Sequence, residues 1–209
     1  MFSLQTIFGK GDKFYGLLEA SAESARLSAK ALIELLSPPA TQQSLEKFKQ
    51  ARRREKDLFA QISEELVNTF VTVLDREDIE ALNSALYKIP KVVEKFAERY
   101  TLALGRIEGI DFTSRAEMLE QACKVLEQMV RLLRKGMDLD EVKKLNDQLQ
   151  TIEAEADRLI LELYRDAYTN ESDPIRYLVK KDLFEILEKA IDRCRDAGNV
   201  IYHIVLKNS

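Results

Sequence analysis

The chain has 209 residues, of which 33% are charged and 45% are hydrophobic, and it contains only 7 glycines and 4 prolines. This balance is typical of long amphipathic helices and argues against a β-rich fold, which needs more turn residues. The net charge of −4 argues against nucleic-acid binding, because such binding requires a basic surface that displaces counterions. The composition therefore predicts an all-α protein.

The start of the sequence does not resemble a targeting segment. It lacks the basic leader and long apolar core of a signal peptide, and no stretch of the chain approaches the ~18 apolar residues of a spanning helix. We therefore predict a cytoplasmic protein. The residues Phe2, Leu4, Ile7 and Phe8 predict a small apolar clip that folds onto the body or serves a partner.

Turn signals divide the chain into six predicted helices. These cover residues 14–36, 42–72, 75–104, 115–135, 138–168 and 174–207. The first helix ends at Pro38-Pro39, because proline cannot continue a helix. Phe70 is predicted to face the core as part of the apolar side of the second helix. Pro90 lies inside the third helix and predicts a kink.

Four of the predicted helices begin beside a capping residue. Asp75, Asp138 and Asp173 are predicted to cap the third, fifth and sixth helices. Thr113 or Ser114 is predicted to cap the fourth. Each side chain would accept a hydrogen bond from an otherwise unpaired backbone N–H in the first turn.

The first three helices and the last three have similar lengths and are separated by the glycine-containing segment 105–115. Apolar positions of the third and sixth helices align at a constant offset. The aligned pairs are Ile79 and Phe184, Leu82 and Leu187, Leu86 and Ile191, and Ile89 and Cys194. This alignment predicts a single domain over residues 1–209 with an internal repeat, 11–106 and 113–207.

The sixth helix carries a row of carboxylates. Glu188, Asp192 and Asp196 follow one another at i, i+4 spacing, which places them on one side of a helix beside an apolar stripe. Like charges at this spacing repel by roughly 0.2–0.5 kcal/mol per pair when they are exposed. The row is either a solvated surface stripe relieved by neighbouring lysine and arginine side chains or a set of oxygen ligands for a cation.

The fifth helix supplies a second row. Glu153 and Asp157 have the same spacing and also lie beside apolar residues. The fifth and sixth helices are joined by a short connection, so they are expected to run antiparallel and to bring the two rows together. The combined oxygen atoms would suit Fe³⁺, Mn²⁺, Mg²⁺ or Ca²⁺. A surface charge stripe remains the alternative.

The first half of the chain differs at the aligned positions. Arg53 and Asp57 stand opposite the acids of the fifth helix, whereas Asn83, Tyr87 and Lys91 stand opposite those of the sixth. If the halves are duplicates, the first has lost a comparable site. Arg53 and Lys91 are then predicted to occupy that place electrostatically.

Residues that could support catalysis are scarce. A ferritin-like di-iron site requires Glu-x2-His on two helices, whereas the single histidine, His203, has Val200 in place of the glutamate. No motif supports a histidine-dependent nucleophile or a glycine-rich nucleotide loop. Cys123 and Cys194 lie in helical patterns without CxxC and are predicted to be small buried side chains. We therefore predict that the protein is not an enzyme.

The two acidic patterns occur together with two other characteristic segments. These segments are NTFVTVLDREDI at residues 68–79 and DRCRDAGNVI at residues 192–201. Taken together in the order in which they occur along the chain, these four features resemble the PhoU-like family. Within that family they resemble the branch of accessory proteins associated with Pit-type phosphate transporters. The resemblance covers nearly the whole chain.

This resemblance implies two similar three-helix bundles with pseudo-twofold symmetry, a PhoU-like arrangement of six long antiparallel helices. It also implies clusters of iron or another metal held on the surface by the acidic motifs. The residues that match the family's metal ligands are Glu153, Asp157, Glu188, Asp192 and Asp196. Family members carry acids where this chain has Tyr87, Lys88 and Lys91, so a second cluster in the first half is not expected.

The resemblance further implies a non-enzymatic regulator of phosphate uptake that contacts a Pit-type phosphate transporter or a phosphate-signalling protein. Its expected cofactor is a metal, as an iron cluster or as manganese, magnesium or calcium. Such contact would bring a cytoplasmic protein to the inner face of the membrane, and elongated helices of this kind also permit a homo-oligomer. The alternative is a metal-free helical adaptor whose acidic face docks a basic loop of its partner.

Overall fold

Six long α-helices form the protein in a computed structural model that describes residues 4–37 and 42–209, with side chains for residues 12–37 and 45–209. The helices are α1 (Leu4–Leu36), α2 (Gln42–Asn68), α3 (Arg76–Ala103), α4 (Thr113–Arg134), α5 (Leu139–Asn170) and α6 (Pro174–Asn208). A short 3₁₀ turn, Leu104–Arg106, follows α3. No strand occurs in the described ranges, so the predicted all-α class is confirmed.

The two bundles have the same internal arrangement. In the first, α1, α2 and α3 pack against one another, and in the second α4, α5 and α6 do so. The bundles join where α1 packs on α4 and α3 packs on α6, which leaves α2 and α5 on the outside. The predicted pair of similar three-helix bundles with pseudo-twofold symmetry is confirmed. The division into repeats 11–106 and 113–207 stays a prediction.

Ion pairs show that α3 and α6 run antiparallel. Arg99, near the end of α3, pairs with Asp182 near the start of α6, whereas Asp78 at the start of α3 lies 3.2 Å from Lys207 at the end of α6. The eight aligned apolar positions of these two helices are all buried in the common core. Burial of these side chains holds the bundles together, because apolar area removed from water stabilises by roughly 25 cal/mol per Å².

Two of the predicted caps are confirmed. Asp138 accepts a hydrogen bond from the backbone N–H of Glu141 at 2.9 Å and so caps α5. Asp173 accepts bonds from the N–H groups of Ile175 and Arg176 at 2.9 and 3.3 Å and caps α6. Each aspartate satisfies donors that the first helical turn leaves unpaired.

The other two predicted caps are wrong. Asp75 stands at the N-cap position of α3 but makes no side-chain capping bond, because its carboxylate pairs with Lys207 from the distant end of α6. At the start of α4 it is Asp111, and neither Thr113 nor Ser114, that supplies the acceptor. Its carboxylate accepts from the Thr113 N–H at 2.8 Å and from the Ser114 hydroxyl.

Two helix ends lie away from their predicted positions. α1 begins at Leu4, nearly three helical turns before the predicted start at residue 14, and α2 ends at Asn68, before the predicted end at residue 72. Arg76 explains the second end, since its guanidinium donates to the carbonyls of Leu66 and Thr69 and occupies acceptors that a longer helix would use. α3 is continuous through Pro90.

Two predicted features fall largely outside the description. The apolar clip of Phe2, Leu4, Ile7 and Phe8 and the helix stop at Pro38-Pro39 lie outside the residues whose side chains the structure describes. In the described part of the chain, no helix combines the length and the apolar character needed to cross a membrane.

Gly198 sets the distance between α5 and α6. A Cβ atom at this position would lie 2.3 Å from Leu149 Cδ1 and 3.1 Å from Asn146 Oδ1, so any larger residue would force the Leu149 side chain to shift. Next to it, Asn199 Oδ1 accepts from Gln150 Nε2 at 2.9 Å and from Asn146 Nδ2 at 3.3 Å. Asn199 therefore helps to join the two helices.

The two cysteines meet in the core between α4 and α6. Cys123 and Cys194 are both fully buried free thiols, and their Sγ atoms are 3.6 Å apart. The contact with Cys123, together with burial, raises the pKa of the Cys194 thiol well above its ordinary value. The prediction that both are small buried side chains is confirmed.

Candidate functional site

A cleft of about 580 Å³ lies beside α5 and α6 and is lined by three of the predicted ligands, Asp157, Glu188 and Asp192. We call this the acidic cleft. The other two, Glu153 and Asp196, meet at one guanidinium near Asp192. Antiparallel packing of α5 on α6 thus brings the two carboxylate rows together, as their spacing predicts.

Arg195 is the central cation of this site. Its Nη1 lies 2.5 Å from Glu153 Oε1, and its Nη2 lies 3.1 Å from Asp196 Oδ1 and also pairs with Asp192. One guanidinium therefore contacts carboxylates from both helices. Arg193 adds a further pair, with its Nη1 2.8 Å from Asp196 Oδ2. The sequence showed Arg195 only as one of several neighbouring cations.

Negative charge remains in excess in the acidic cleft. Burial, together with the nearby charges of Asp192, Asp157 and Glu153, raises the pKa of Glu188 to about 7. Burial also raises the pKa of Glu153, against the opposing effect of Arg195. A carboxyl with such a pKa is poorly compensated, because the ionised form is disfavoured both by desolvation and by like charges.

The donor set suits a hard cation by type and by charge. Carboxylate oxygens are the ligands that iron, manganese, magnesium and calcium share, and a bound cation would offset the repulsion that raises the pKa of Glu188. In the side-chain positions of residues 12–37 and 45–209, however, no three acidic, histidine or cysteine groups converge closely enough to hold an ion. Arg195 instead engages Glu153, Asp192 and Asp196.

The matching place in the first bundle is filled by a different arginine from the one predicted. Arg52 is only 5% exposed, and its guanidinium lies 4.1 Å from the centre of the Tyr87 ring. Its Nε lies 3.3 Å from Glu94 Oε2. Arg53 is exposed, so the prediction that it occupies this place is wrong. At this position the alignment of α2 with α5 is therefore displaced by one residue.

Lys91 is exposed and does not occupy the first bundle's site. It lines a groove between α3 and α6 with a volume of about 460 Å³. We call this the basic groove. Its cationic residues are Lys88, Lys91, Lys95, Lys189 and Arg193.

An exposed apolar surface lies at the turn between α2 and α3. Phe70 is 97% exposed and Val67 is 81% exposed, with Val71 and Val73 beside them. We call these four residues the α2–α3 tip. The prediction that Phe70 faces the core is wrong, because α2 ends at Asn68 and Phe70 lies in the turn that follows, with its side chain in solvent.

No family model matches this sequence. Its curated relatives include the UPF0111 protein YkaA of Bacillus subtilis (strain 168), which is 24% identical over 151 residues and aligns with 69% of this chain and 70% of that protein. A Rhizobium meliloti (strain 1021) protein, provisionally named a pit accessory protein, is 23% identical over 203 residues and aligns with 94% of each chain.

Solved structures show the same fold. A PhoU-like protein from Shewanella oneidensis MR-1 superimposes with a TM-score of 0.77 over 93% of this chain and 99% of the other, at 19% identity. PhoU from Pseudomonas aeruginosa superimposes with a TM-score of 0.66 over 99% of this chain and 98% of the other, at 16% identity. The chain therefore has the PhoU-like fold, and its resemblance to the PhoU-like family with its pit accessory branch is confirmed.

Proposed function

We propose that the protein is a non-enzymatic regulator or accessory protein of phosphate uptake that binds metal through the carboxylates of α5 and α6. The names of its relatives support the first half of this proposal, since they include a pit accessory protein and PhoU-like regulatory proteins. The proposed partner is a Pit-type phosphate transporter or a phosphate-signalling protein. Such a partner would place the protein in the cytoplasm at the inner face of the membrane.

The observation that carries the metal proposal is the excess of negative charge in the acidic cleft, whose lining has five acids but only three cations, Lys95, Lys189 and Arg193. Asp157, Glu188 and Asp192 share one cleft, and the pKa of Glu188 is raised to about 7. A cation bound there would convert like-charge repulsion into attraction. The expected ions are iron, alone or clustered, manganese, magnesium and calcium, all of which accept carboxylate ligands.

Binding would proceed with a rearrangement of Arg195. Asp157 and Glu188 have no cationic partner in the part of the chain that the structure describes, so they are available first. Glu153, Asp192 and Asp196 are held by Arg195 and would join the ion only when that guanidinium swings away. The metal ion would then replace the Arg195 guanidinium as the positive charge beside these carboxylates.

We propose that the partner binds at the α2–α3 tip. Large apolar side chains exposed side by side are typical of interaction sites, and an aromatic residue at the centre is the usual anchor. Phe70 has this position, and Arg76 holds the tip's backbone through the carbonyls of Leu66 and Thr69. Phe70→Asp is expected to abolish co-purification with the transporter without changing the thermal unfolding temperature.

The second candidate function is a metal-free adaptor whose acidic face docks a basic loop. One observation favours it: Arg195 already satisfies carboxylates from both helices, so the site is partly neutralised without metal. An arginine or lysine of the partner could replace Arg195 in the same way. The two candidates differ in metal content. The metal-bearing regulator would contain bound metal after purification, and the adaptor would not.

The test is metal analysis of protein purified without chelator, followed by calorimetric titration with Mn²⁺ and Fe²⁺. The proposal expects stoichiometric metal that is lost in Glu188→Gln and in Asp192→Asn. Asp57→Asn is the matched control, because Asp57 holds the aligned position in the first bundle and is exposed. Metal-free protein that still binds the transporter would establish the adaptor instead.

A further inference from the structure

The basic groove between α3 and α6 carries more positive charge than its own residues neutralise. Lys88, Lys91, Lys95 and Lys189 line it and are exposed, and none of them forms an ion pair within residues 12–37 and 45–209. These four lysines come from two helices that meet at the junction of the bundles. Their alignment on one groove therefore depends on the tertiary structure.

The acidic residues of the groove do not cancel this charge. Glu94 lies 3.3 Å from the buried Arg52 and is directed to that partner, which leaves Glu98 as the other lining acid. Arg193 adds a fifth cation, although its guanidinium also contacts Asp196. With five cations and two acids in its lining, the groove has a net positive charge, although Lys95, Lys189 and Arg193 also line the adjoining acidic cleft.

The groove has the dimensions of a binding site for an elongated anion. Its volume of about 460 Å³ lies in the range of small-molecule sites. Lys88, Lys91 and Lys95 follow one side of α3 over about 10 Å, given a rise of ~1.5 Å per residue. Lys189 and Arg193 follow the opposite wall, and Val92 and Ile186 contribute apolar lining.

We propose that the basic groove binds a chain of linked phosphate groups, either free or carried by a nucleoside. Ammonium groups are common point-charge ligands of phosphate. An extended acidic peptide is a poorer match, because same-face carboxylates on a strand are ~6.6 Å apart and only about two would lie within the groove. Linked phosphates concentrate more charge in the same length. A flat lipid surface would not enter a concave groove that adjoins the acidic cleft.

The experiment is isothermal titration of the full chain with tripolyphosphate, ATP and inorganic phosphate, each in the presence of a chelator. The chelator separates this site from any metal in the acidic cleft, so the result does not depend on the proposed metal binding. We expect tripolyphosphate to bind at least about tenfold more tightly than inorganic phosphate, and its affinity to fall with ionic strength. Comparison of ATP with tripolyphosphate shows whether a nucleoside is part of the ligand.

The double variant Lys91→Gln/Lys189→Gln is expected to weaken tripolyphosphate binding about tenfold. Lys143→Gln/Lys144→Gln is the matched control, because these lysines are equally exposed but lie on α5 away from the groove. Circular dichroism confirms that both variants are folded. The proposal is overturned if tripolyphosphate does not bind, if both double variants bind alike, or if an acidic peptide binds more tightly than tripolyphosphate.

Discussion

The matching places in the two bundles have the same packing and opposite electrostatics. On α5 and α6, Glu188 and its neighbours leave carboxylates uncompensated at the surface. On α2 and α3, Arg52 is buried against Tyr87 and Glu94, and the aligned positions of α3 carry Asn83, Tyr87 and Lys91 in place of acids. The comparison shows that two bundles with the same helix packing can carry sites of opposite charge, because a few side chains determine the charge of each site.

The first bundle nevertheless buries an acid of its own. Glu55 is fully buried between α1 and α2, where its Oε1 accepts from the Ser21 hydroxyl at 2.7 Å. Burial raises the pKa of this carboxyl, against the opposing effect of that hydrogen bond. Glu155, near the aligned position of α5, is exposed and pairs with Arg158. The aligned acids of the two middle helices therefore differ, because Glu55 is part of the packing whereas Glu155 faces solvent.

The largest effect is expected where packing creates the acidic cleft. Gly198→Val places a branched side chain against Leu149 and Asn146, where even a Cβ atom would force the Leu149 side chain to move. We expect the free energy of unfolding to fall by about 3 kcal/mol, and α5 to separate from α6. Chemical denaturation measures this change. Gly105→Ala is the control, because no atom lies within 4 Å of its Cβ position, and an equal loss there would contradict the explanation.

The second-largest loss of stability is expected in the first bundle. Arg52→Ala removes a buried guanidinium from the Tyr87 ring and from Glu94, and we expect a loss of about 2 kcal/mol in unfolding free energy. Arg53→Ala is the adjacent control and should change stability by less than ~0.5 kcal/mol, because Arg53 is exposed. Equal losses would place both arginines in the same environment and contradict the structure.

A third change sharpens the contrast between the two sites. Arg195→Gln frees Glu153, Asp192 and Asp196 from their shared cation. We expect the dissociation constant for Mn²⁺ to fall by about tenfold, or ~1.4 kcal/mol, if metal and guanidinium compete for these oxygens. Calorimetric titration measures the constant. Unchanged or weaker binding would show that Arg195 supports the ligands and does not compete for them.

The smallest effect is a pH dependence of stability in metal-free protein. Because the folded-state pKa of Glu188 is raised to about 7, the native state binds more protons than the unfolded state between about pH 4.5 and 7. Its unfolding free energy should therefore fall as pH rises through this window. Glu188→Gln should remove about 1 kcal/mol of that fall, after allowance for partial exposure.

The control for this prediction is again Asp57→Asn on exposed α2, which should leave the pH profile unchanged. A remaining slope in Glu188→Gln is expected from Glu55 and Glu153, whose pKa values are also raised. Denaturation at pH 5 and pH 8 with chelator measures the difference. An identical profile for Glu188→Gln and the parent protein would contradict the assigned environment of Glu188.

The predicted caps show which local features can be read from sequence. Asp138 and Asp173 act on N–H groups two or three residues away, so neighbouring residues decide them. Asp75 has the same local pattern, but Lys207 takes its carboxylate. That partner comes from the far end of α6. A helix cap can therefore be predicted from neighbouring residues, unless a charged residue far away in the chain competes for the capping side chain.

The sequence by itself determined the six amphipathic helices and the two carboxylate rows. It could do so because apolar periodicity and i, i+4 spacing depend only on helix geometry. Tertiary structure alone decided that Arg195 bridges α5 and α6, that Arg52 and not Arg53 is buried, and that lysines of α3 and α6 line one groove. These outcomes depend on the rotation of each helix about its axis and on contacts between residues far apart in the chain.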